Sequence, residues 1–508
     1  MASGALSAAA WRGDRLTDQE LGGMKVANLP SPKLRANPEE IGALTARLKE
    51  LNYREEVVAE RLGLRDLSEL DAAELPRYVW EARRESTALG QLMLLFLLGE
   101  GLSRQEATSL LGREAISALM VSDVLFRRDG RLFSRLVLYP CLGSFIFTDY
   151  WVTAGQLEGQ VYELGTDSYV LARLTPRGES VKTALDLCTG SGVHAVASAL
   201  AGADSTAVDI NPRALQYTEF NAAVNGVSVN IVEGDLYTAL EPGRYDLITA
   251  NPPYVPSPDE EVLIHRSAGE TGEEVPERLL AGLPERLSAG GLFSMVLEYP
   301  VLSSESYLNR LERWLGEKRG WGIAVVSFGE MNIGAYIKLH IGPSEDYQSK
   351  FEAYLESYSR QGIESVDFAN VFVVRTGLDQ PNWKVKLSSL WPKTDIRPYV
   401  SDWLNDQLIY RNPDFEFDLT AKPDLNQVYR TFWRDRDRTQ GILERANDRT
   451  FAPRNLTADE AEWLEHARGE KTLSQLLASW RESGRLESTF WSALRGLGKQ
   501  GAISWKKS

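Results

Sequence analysis

The 508-residue chain has few of the residues that form disulfide frameworks or metal sites. It contains only two cysteines, Cys141 and Cys188, and four histidines. Two cysteines so far apart do not form the closely spaced set of a disulfide-rich scaffold. The histidines show no metal-ligand spacing with one another or with the cysteines. The sequence therefore predicts no metal site and a reducing compartment, the cytoplasm.

Long apolar runs and an excess of positive charge are also missing. The longest apolar run, residues 92–98, falls far short of the roughly 20 residues that a membrane-spanning helix needs. The start of the chain lacks the leading basic region of a signal peptide. The net charge of −15 excludes attraction of nucleic acid or acidic membranes by the field of the whole molecule. We therefore expect a soluble protein with no membrane partner, although a local basic patch is compatible with this charge.

The first part of the chain predicts helices followed by a β-hairpin. A capping box at Ser103 and Glu106 begins a helix, and Asp129-Gly130 predicts the tight turn between strands at residues 124–128 and 132–139. This order resembles a winged-helix unit, which binds nucleic acid, docks a protein or covers a substrate. The hairpin contains four arginines, Arg127, Arg128, Arg131 and Arg135. They fit a solvated face as well as a phosphate contact.

The end of the chain, residues 451–508, predicts a second winged-helix-like unit. Thr457 and Glu460 form a capping box, and two helices and a short strand follow. Before it, residues 377–449 are rich in aromatic side chains and fit no clear class. They include an alternating run of arginine and aspartate at 434–438, which is typical of a salt-bridged face.

In the centre of the chain, strands alternate with helices, which is typical of a doubly wound parallel sheet. The predicted helices are residues 193–201, 212–225, 274–287 and 307–315. The predicted strands are residues 181–187, 205–210, 229–233, 245–250 and 291–297, closed by an antiparallel pair at 322–328 and 335–341. A helix at 345–360 and a strand at 366–375 follow.

Three of these strands end in groups that suit a nucleoside ligand. After the first strand, the glycines of Leu-Asp-Leu-Cys-Thr-Gly-Ser-Gly, residues 185–192, allow close approach of a ligand at the start of a helix. Asp209 ends the next strand, near the roughly 20-residue separation expected for a ribose-binding acid. Asp235 follows the third strand and is a candidate partner for an adenine amino group. The glycine turn alone also fits a nicotinamide nucleotide.

The fourth strand ends at Asn251-Pro252-Pro253-Tyr254. The two prolines cannot continue a sheet ladder, so the chain turns outward and presents Asn251 at the carboxyl end of the strand. The Asn251 oxygen and the Pro252 carbonyl can accept both hydrogens of a planar NH2 group, and the Tyr254 ring can stack on its face. We call these three groups the NH2 clamp.

Together, the four strand ends resemble the class I S-adenosylmethionine-dependent methyltransferases. Residues 165–342 most resemble the amino-methylating group with an Asn-Pro-Pro-Tyr (NPPY) motif, which includes the release-factor and ribosomal-protein glutamine methyltransferases and the adenine-N6 methyltransferases. The resemblance implies a Rossmann-like sheet, S-adenosylmethionine as cofactor, and the catalytic residues Asn251, Pro252, Pro253 and Tyr254. The cofactor-binding residues that it implies are Thr166, Asp167, Asp186, Cys188, Thr189, Gly190, Ser191, Gly192, Asp209, Ile210, Asp235, Leu236 and Asn251.

Three further segments share this resemblance. Residues 165–168 are similar to the upstream segment that covers the cofactor, residues 209–215 to the second motif of the glutamine enzymes, and residues 267–274 to their glycine-containing loop. Cys188 departs from the glycine commonest at its place. We interpret it as a packing residue, because methyl transfer from a sulfonium needs no protein nucleophile.

The implied reaction is a direct in-line transfer in which the protein contributes proximity and orientation. The NH2 clamp would point the lone pair of the acceptor nitrogen at the methyl group and stabilise the positive charge that develops there. No strong general base is required.

Four hypotheses remain for the acceptor. A macromolecular substrate is expected, and the motif spelling, the acidic charge and the loop at 267–274 favour a protein glutamine side chain. An adenine N6 in RNA or DNA presents the same NH2 group and is supported by the two winged-helix-like units and the arginine clusters. A small-molecule amine is the third hypothesis. The fourth is a non-catalytic, S-adenosylmethionine-sensing regulator, against which the complete clamp argues.

The predicted fold class is α/β: a Rossmann-like methyltransferase sheet flanked by an N-terminal helical, winged-helix-like domain and a C-terminal α+β, winged-helix-like domain. The predicted domains are a flexible arm at 1–36, the N-terminal domain at 37–149, the catalytic domain at 150–345, an α/β extension of uncertain fold at 346–450, and the C-terminal domain at 451–508.

Overall fold

The computed structural model describes residues 32–34, 38–150, 159–258, 269–341, 346–412, 414–425, 429–433, 441–445 and 454–506. The chain divides into two compact units, residues 1–385 and 386–508. The predicted arm, apart from residues 32–34, lies outside the described residues. In the part of the chain that the structure describes, no helix has both the length and the apolar character needed to cross a membrane.

The first unit begins with helices and two β-hairpins. Its elements are α1 (Pro38–Glu50), α2 (Glu55–Arg61), α3 (Leu75–Glu85), α4 (Ala88–Phe96), β1 (Leu102–Ser103), α5 (Arg104–Val121), β2 (Leu125–Arg128), β3 (Arg131–Ser134), β4 (Val137–Cys141) and β5 (Ser144–Thr148). The predicted capping box at Ser103 is present. Asp129 and Gly130 adopt left-handed conformations and close the β2–β3 hairpin, as predicted. The winged-helix assignment stays a prediction.

The long predicted strand at 132–139 is wrong, because it belongs to two different hairpins. The Ser134 hydroxyl donates to the Leu136 carbonyl at 2.6 Å and accepts from the Leu136 amide at 3.2 Å. This local bonding turns the chain, so β3 pairs with β1 and β2 while β4 pairs with β5.

The rest of the first unit is an eight-stranded sheet with helices. Its elements are α6 (Thr166–Leu174), β6 (Thr183–Leu187), α7 (Val193–Leu200), β7 (Asp204–Asp209), α8 (Pro212–Val224), β8 (Asn230–Glu233), β9 (Tyr245–Ala250), α9 (Glu274–Arg286), β10 (Leu287–Leu302), α10 (Tyr307–Leu315), β11 (Trp321–Asn332), α11 (Ile333–Ile341), α12 (Tyr347–Gln361), β12 (Ile363–Arg375) and β13 (Trp383–Ser388). The strand order is β13-β11-β12-β10-β9-β6-β7-β8. Strands β6 to β10 run parallel, which confirms the predicted Rossmann-like sheet.

The predicted strand at 335–341 is wrong, because these residues lie in helix α11. The Asn332 side chain accepts from the Ala335 amide at 2.9 Å and starts the helix, and its buried residues include Tyr336 and Ile337. The short apolar alternation in this segment fits a strand and a helix equally well. The antiparallel partner of β11 is instead β12, so the sheet takes strands from beyond residue 345.

The second unit is a smaller α+β structure. Its elements are α13 (Arg397–Arg411), β14 (Lys422–Leu425), β15 (Tyr429–Trp433), β16 (Gly441–Arg445), β17 (Arg454–Asn455), α14 (Ala458–His466), α15 (Leu473–Glu482), α16 (Glu487–Gly498) and β18 (Ile503–Lys506). The predicted capping box at Thr457 is present. Trp463, Trp480 and Phe490 pack in its core. The five-part division into domains stays a prediction.

Helix α6 is anchored by a buried ion triad. Its Arg173 binds Glu55 of α2 and Asp66, and all three residues are less than a tenth exposed. Removing the cation from such a group leaves uncompensated charge in the interior. The triad therefore fixes α6 against the helical part of the unit.

We predict that Arg173→Met lowers the free energy of unfolding by about 3–5 kcal/mol, because two buried carboxylates lose their cation. The control is Arg83→Met, which removes a surface pair with Glu100 and should cost less than about 1 kcal/mol. Urea denaturation followed by circular dichroism measures both. Equal midpoints for the two variants would contradict the anchoring role.

Strand β6 carries a second buried charge, Asp186. Its side chain is 2% exposed, and the Thr189 and Thr249 hydroxyls donate to its two oxygens at 2.6 and 2.7 Å. Burial raises the pKa of Asp186 from the usual 3.8 to about 6, although both hydrogen bonds act to lower it. Between these values the folded protein keeps a proton that the unfolded chain has lost. The stability that protonated Asp186 gives to the folded protein is therefore lost as the pH rises from about 4 to about 6.

We predict that Asp186→Asn removes this pH dependence. Relative to the wild type, the free energy of unfolding of the variant should rise between pH 4 and pH 7, by up to roughly 3 kcal/mol. Urea titrations across this range measure the difference. Asp204→Asn, at an exposed aspartate of β7, controls for the loss of one negative charge, and a parallel pH profile for Asp186→Asn and the wild type would refute the prediction.

Candidate functional site

The carboxyl ends of three neighbouring strands open onto the same edge of the sheet. Strand β6 lies between β7 and β9, and Leu187 is opposite Val208 on one side and Ala250 on the other. The loops after these strands therefore begin side by side. The strand order also reverses between β6 and β9, which is where open α/β sheets bind ligands.

The loop after β6, which we call the glycine loop (residues 188–192), has an unusual backbone. Cys188, Gly190 and Gly192 have φ of 57°, 55° and 79°. A Cβ on Gly190 would meet no atom within 4 Å, whereas one on Gly192 would lie 2.7 Å from the Thr218 methyl. Gly190 therefore faces open space, and Gly192 allows α7 to pack closely against α8. The intervening Thr189 and Ser191 are buried.

Asp209, at the end of β7, is tied to the glycine loop. One carboxylate oxygen accepts from the Gly190 amide and the other from the Asn211 amide, both at 2.9 Å. Burial raises the pKa of Asp209, and these backbone hydrogen bonds oppose the rise. The next side chain, Ile210, is 59% exposed, so a carboxylate and a bare apolar surface lie next to each other.

Asp235, which follows β8, has a partner that the sequence did not predict. Arg278 of α9 donates to its carboxylate at 2.7 Å, and both side chains are about half exposed. Leu236 beside it is 7% exposed and has a left-handed backbone. A ligand that bonds to Asp235 therefore shares this carboxylate with Arg278.

Cys188 packs against the apolar cluster beneath the sheet edge. Burial raises the pKa of its thiol, and the carboxylates of Asp209, Asp186 and Asp235 raise it further. The thiol is therefore protonated at neutral pH, which supports its interpretation as a packing residue.

The NH2 clamp lies at the carboxyl end of β9 and contacts α6. The Asn251 amide nitrogen donates to the Asp167 carboxylate at 3.0 Å, and the Tyr254 hydroxyl lies 3.4 Å from the same oxygen. Thr166 and Asp167 form the first turn of α6. Pro252 and Tyr254 are buried, and Asn251 and Pro253 are half-buried. The structure thus brings the predicted segment at 165–168 to the Asn-Pro-Pro-Tyr turn.

Two later segments hold the chain just after the clamp. A Cβ on Gly272 would lie 2.2 Å from the Tyr254 carbonyl oxygen, so the glycine-containing loop packs directly on the turn; its Ser267 and Ala268 lie outside the described residues. From α12, the Tyr358 hydroxyl donates to the Pro256 carbonyl at 2.9 Å, and the Tyr354 hydroxyl lies 3.0 Å from the Ser257 hydroxyl. The sequence did not predict these tyrosines, although their spacing of four places both on one helical face.

The glycine loop is also held from behind by α8. The Asn221 side chain donates to the Ser191 carbonyl at 2.8 Å and bonds to both the amide and the carbonyl of Phe147 in β5. Asn225, one turn later, makes the same pair of bonds to Phe145. These asparagines were missed, and their only sequence signal is two asparagines four residues apart at the end of a predicted helix.

The arginines of the β2–β3 hairpin are partly engaged within the protein. Arg131 donates to the Gly101 carbonyl, and Arg135 pairs with Asp123 at 3.1 Å. The alternating run at 434–438 lies outside the described residues. Within the described ranges, histidine, cysteine and acidic side chains form no group of three that could hold a metal ion.

Comparison with known proteins assigns a family to this site. A family model described as a methyltransferase small domain matches residues 163–318. The chain is 30% identical over 163 residues to a putative protein N5-glutamine methyltransferase of Methanocaldococcus jannaschii, covering 31% of this chain and 81% of that protein.

Two bacterial proteins are similar over shorter stretches. The release factor glutamine methyltransferase of Deinococcus radiodurans is 34% identical over 149 residues, which cover 27% of this chain and 52% of the relative. The ribosomal protein uL3 glutamine methyltransferase of Bordetella pertussis is 38% identical over 131 residues, which cover 23% of this chain and 43% of the relative. The chain thus spans about half the length of these two relatives.

The match to the archaeal relative extends over most of that protein, and the family model covers residues 163–318, which include every predicted site segment from the glycine loop to the clamp. It confirms the resemblance found in the sequence. This chain therefore belongs to the class I S-adenosylmethionine-dependent methyltransferases, in the group that contains the N5-glutamine methyltransferases, and is an N-methylating enzyme.

Proposed function

We propose that this enzyme methylates the side-chain nitrogen of a glutamine in a protein substrate. The observation that carries the proposal is the Asn251 side chain, which stands at the end of β9 with its nitrogen bonded to Asp167. Its oxygen is then left to accept an N–H from a carboxamide. Relatives named for glutamine methylation are 30–38% identical to this chain over stretches of 131 to 163 residues.

The residues at the sheet edge fit S-adenosylmethionine. The open space at Gly190 would admit a ligand close to the backbone, and Asp209 would accept from the ribose hydroxyls. The exposed Ile210 would cover a face of the adenine ring, and Asp235 would accept from its amino group. Thr166, Asp186, Thr189, Ser191, Gly192 and Leu236 would shape the pocket around them. The cofactor supplies an electrophilic methyl group.

The role of the protein in the reaction is orientation and charge stabilisation. An amide nitrogen is a poor nucleophile because its lone pair is delocalised. The Asn251 oxygen and the Pro252 carbonyl would hold its two hydrogens, and the Tyr254 ring would lie against the planar group. These contacts direct the lone pair and stabilise the positive charge that develops on nitrogen. One N–H proton is then released to solvent.

The adenine alternative has less support among the described residues. It rested on the two winged-helix-like units and the arginine clusters, and two arginines of the β2–β3 hairpin, Arg131 and Arg135, are engaged with Gly101 and Asp123. A protein substrate such as a release factor or a ribosomal protein is also consistent with the proposed cytoplasmic location. The acceptor itself is decided by experiment.

We predict that Asn251→Ala lowers methyl transfer about 100-fold, because the variant cannot accept the N–H of the acceptor. The full chain is incubated with radiolabelled S-adenosylmethionine and a cell extract, and the label is counted in the protein, nucleic-acid and small-molecule fractions. Asn230→Ala, at an exposed position in β8, should keep full activity.

The distribution of label separates the hypotheses. Label in protein that yields N5-methylglutamine on hydrolysis with proteases supports the proposal. Label in nucleic acid or only in small molecules would replace the glutamine by adenine or by a metabolite amine. Cofactor binding without any label would point to a regulator.

A further inference from the structure

The NH2 clamp works only if the Asn251 amide faces the right way. An asparagine side chain has one oxygen that accepts hydrogen bonds and an NH2 that donates them, in nearly the same shape. If the Asn251 amide turns over, its NH2 faces the NH2 of the group to be methylated. Two hydrogen-bond donors then oppose each other, and no bond forms between them. The rest of the protein must therefore determine the orientation of the Asn251 amide.

Asp167 is the group that can determine the orientation of the Asn251 amide. An ionised carboxylate only accepts hydrogen bonds, and the Asp167 oxygen lies 3.0 Å from the Asn251 amide nitrogen. The opposite orientation would set two oxygens against each other without a hydrogen between them. The Asp167 carboxylate therefore selects the orientation in which the Asn251 nitrogen faces it.

The same carboxylate oxygen also contacts the aromatic member of the clamp. The Tyr254 hydroxyl lies 3.4 Å from it, and the ring is 6% exposed. One oxygen atom thus links the amide and the ring. A single side chain outside the Asn-Pro-Pro-Tyr turn therefore contacts both.

Asp167 itself is held in a rigid and electrostatically favourable place. It lies in the first turn of α6, where unpaired backbone N–H groups stabilise a negative charge. Every residue of α6 from Ser168 to Leu174 is buried. The helix is anchored by the Arg173 triad at one side and by a 2.8 Å hydrogen bond between Thr175 and Ser294 of β10.

We propose that Asp167 is a positioning residue that fixes the Asn251 amide with its oxygen toward the acceptor nitrogen. This inference rests on the proposed function, and it gives Asp167 a different task from the cofactor binding that the family resemblance implies. Its distinctive consequence is that hydrogen-bond polarity, and not the presence of a carboxylate at position 167, determines activity.

The variant Asp167→Asn distinguishes a role of Asp167 in positioning Asn251 from a role in binding the cofactor. If Asp167 is a positioning residue, the variant should transfer methyl groups roughly 10- to 100-fold more slowly at saturating S-adenosylmethionine. The dissociation constant of the cofactor, measured by isothermal titration calorimetry, should change less than about threefold. A rate unchanged at saturation, with a dissociation constant raised about tenfold or more, would assign Asp167 to the cofactor and overturn the proposal.

An exchange of the two side chains gives the sharper test. In Asn251→Asp alone, two carboxylates face each other, and transfer should fall about 100-fold or more. In the double variant Asn251→Asp with Asp167→Asn, the new amide donates to one carboxylate oxygen and leaves the other facing the acceptor. We expect the double variant to recover at least about tenfold over Asn251→Asp.

The assay is the radiolabel transfer into the protein fraction of cell extract, with cofactor binding measured on every variant. Recovery in the double variant supports the proposal, and activity no higher than that of Asn251→Asp overturns it. If the wild type labels no protein, the proposed glutamine acceptor fails first; the same variants are then compared on whichever fraction the wild type labels. If no fraction is labelled, the positioning role for transfer is rejected together with the enzyme reaction.

Discussion

The parallel pairing of β6 with β7 on one side and β9 on the other is the constraint on which this protein depends. Parallel strands bring their carboxyl ends to the same edge, so the glycine loop, Asp209 and Asn251 start from neighbouring positions. The reversal of strand order between β6 and β9 opens the crevice above them. The chemistry of the site follows from what the sequence puts at those three ends.

The frame around this edge is built from buried polar contacts. Asn221 joins the glycine loop to strand β5, and the Arg173 triad joins α6 to the helical part of the unit. The Asp149 carboxylate accepts hydrogen bonds from Arg213 and Tyr217 and holds the start of α8 in a similar way. Leaving buried polar groups of this kind unpaired costs free energy. The contacts therefore fix the positions of the segments that they join relative to one another.

Charge has a consistent role at the sheet edge. Asp186, Asp209 and Asp235 lie near enough to act on the Cys188 thiol and to raise its pKa together with burial. A set of carboxylates in one crevice suits a cofactor that carries a positive sulfonium, and it keeps the only thiol of the glycine loop protonated.

Local patterns in the sequence predicted much of this structure. The proline pair ends β9 where expected, the capping boxes at Ser103 and Thr457 begin their helices, and Asp129-Gly130 forms its hairpin. In each case, neighbouring residues determine the backbone through hydrogen bonds or steric limits that act within a few positions. Short-range patterns failed at residues 335–341, because a brief apolar alternation does not distinguish a strand from a helix that packs on one face.

The sequence by itself determined the parallel strands from β6 to β9 and the turns that follow them, because each depends on a strand end and the few residues after it. Only the tertiary structure decided which groups hold the clamp in place. Asp167 lies 84 residues from Asn251, Arg278 lies 43 from Asp235, and Tyr358 lies 102 from Pro256. Such contacts carry no pattern along the chain, since they form only when separate elements pack against each other.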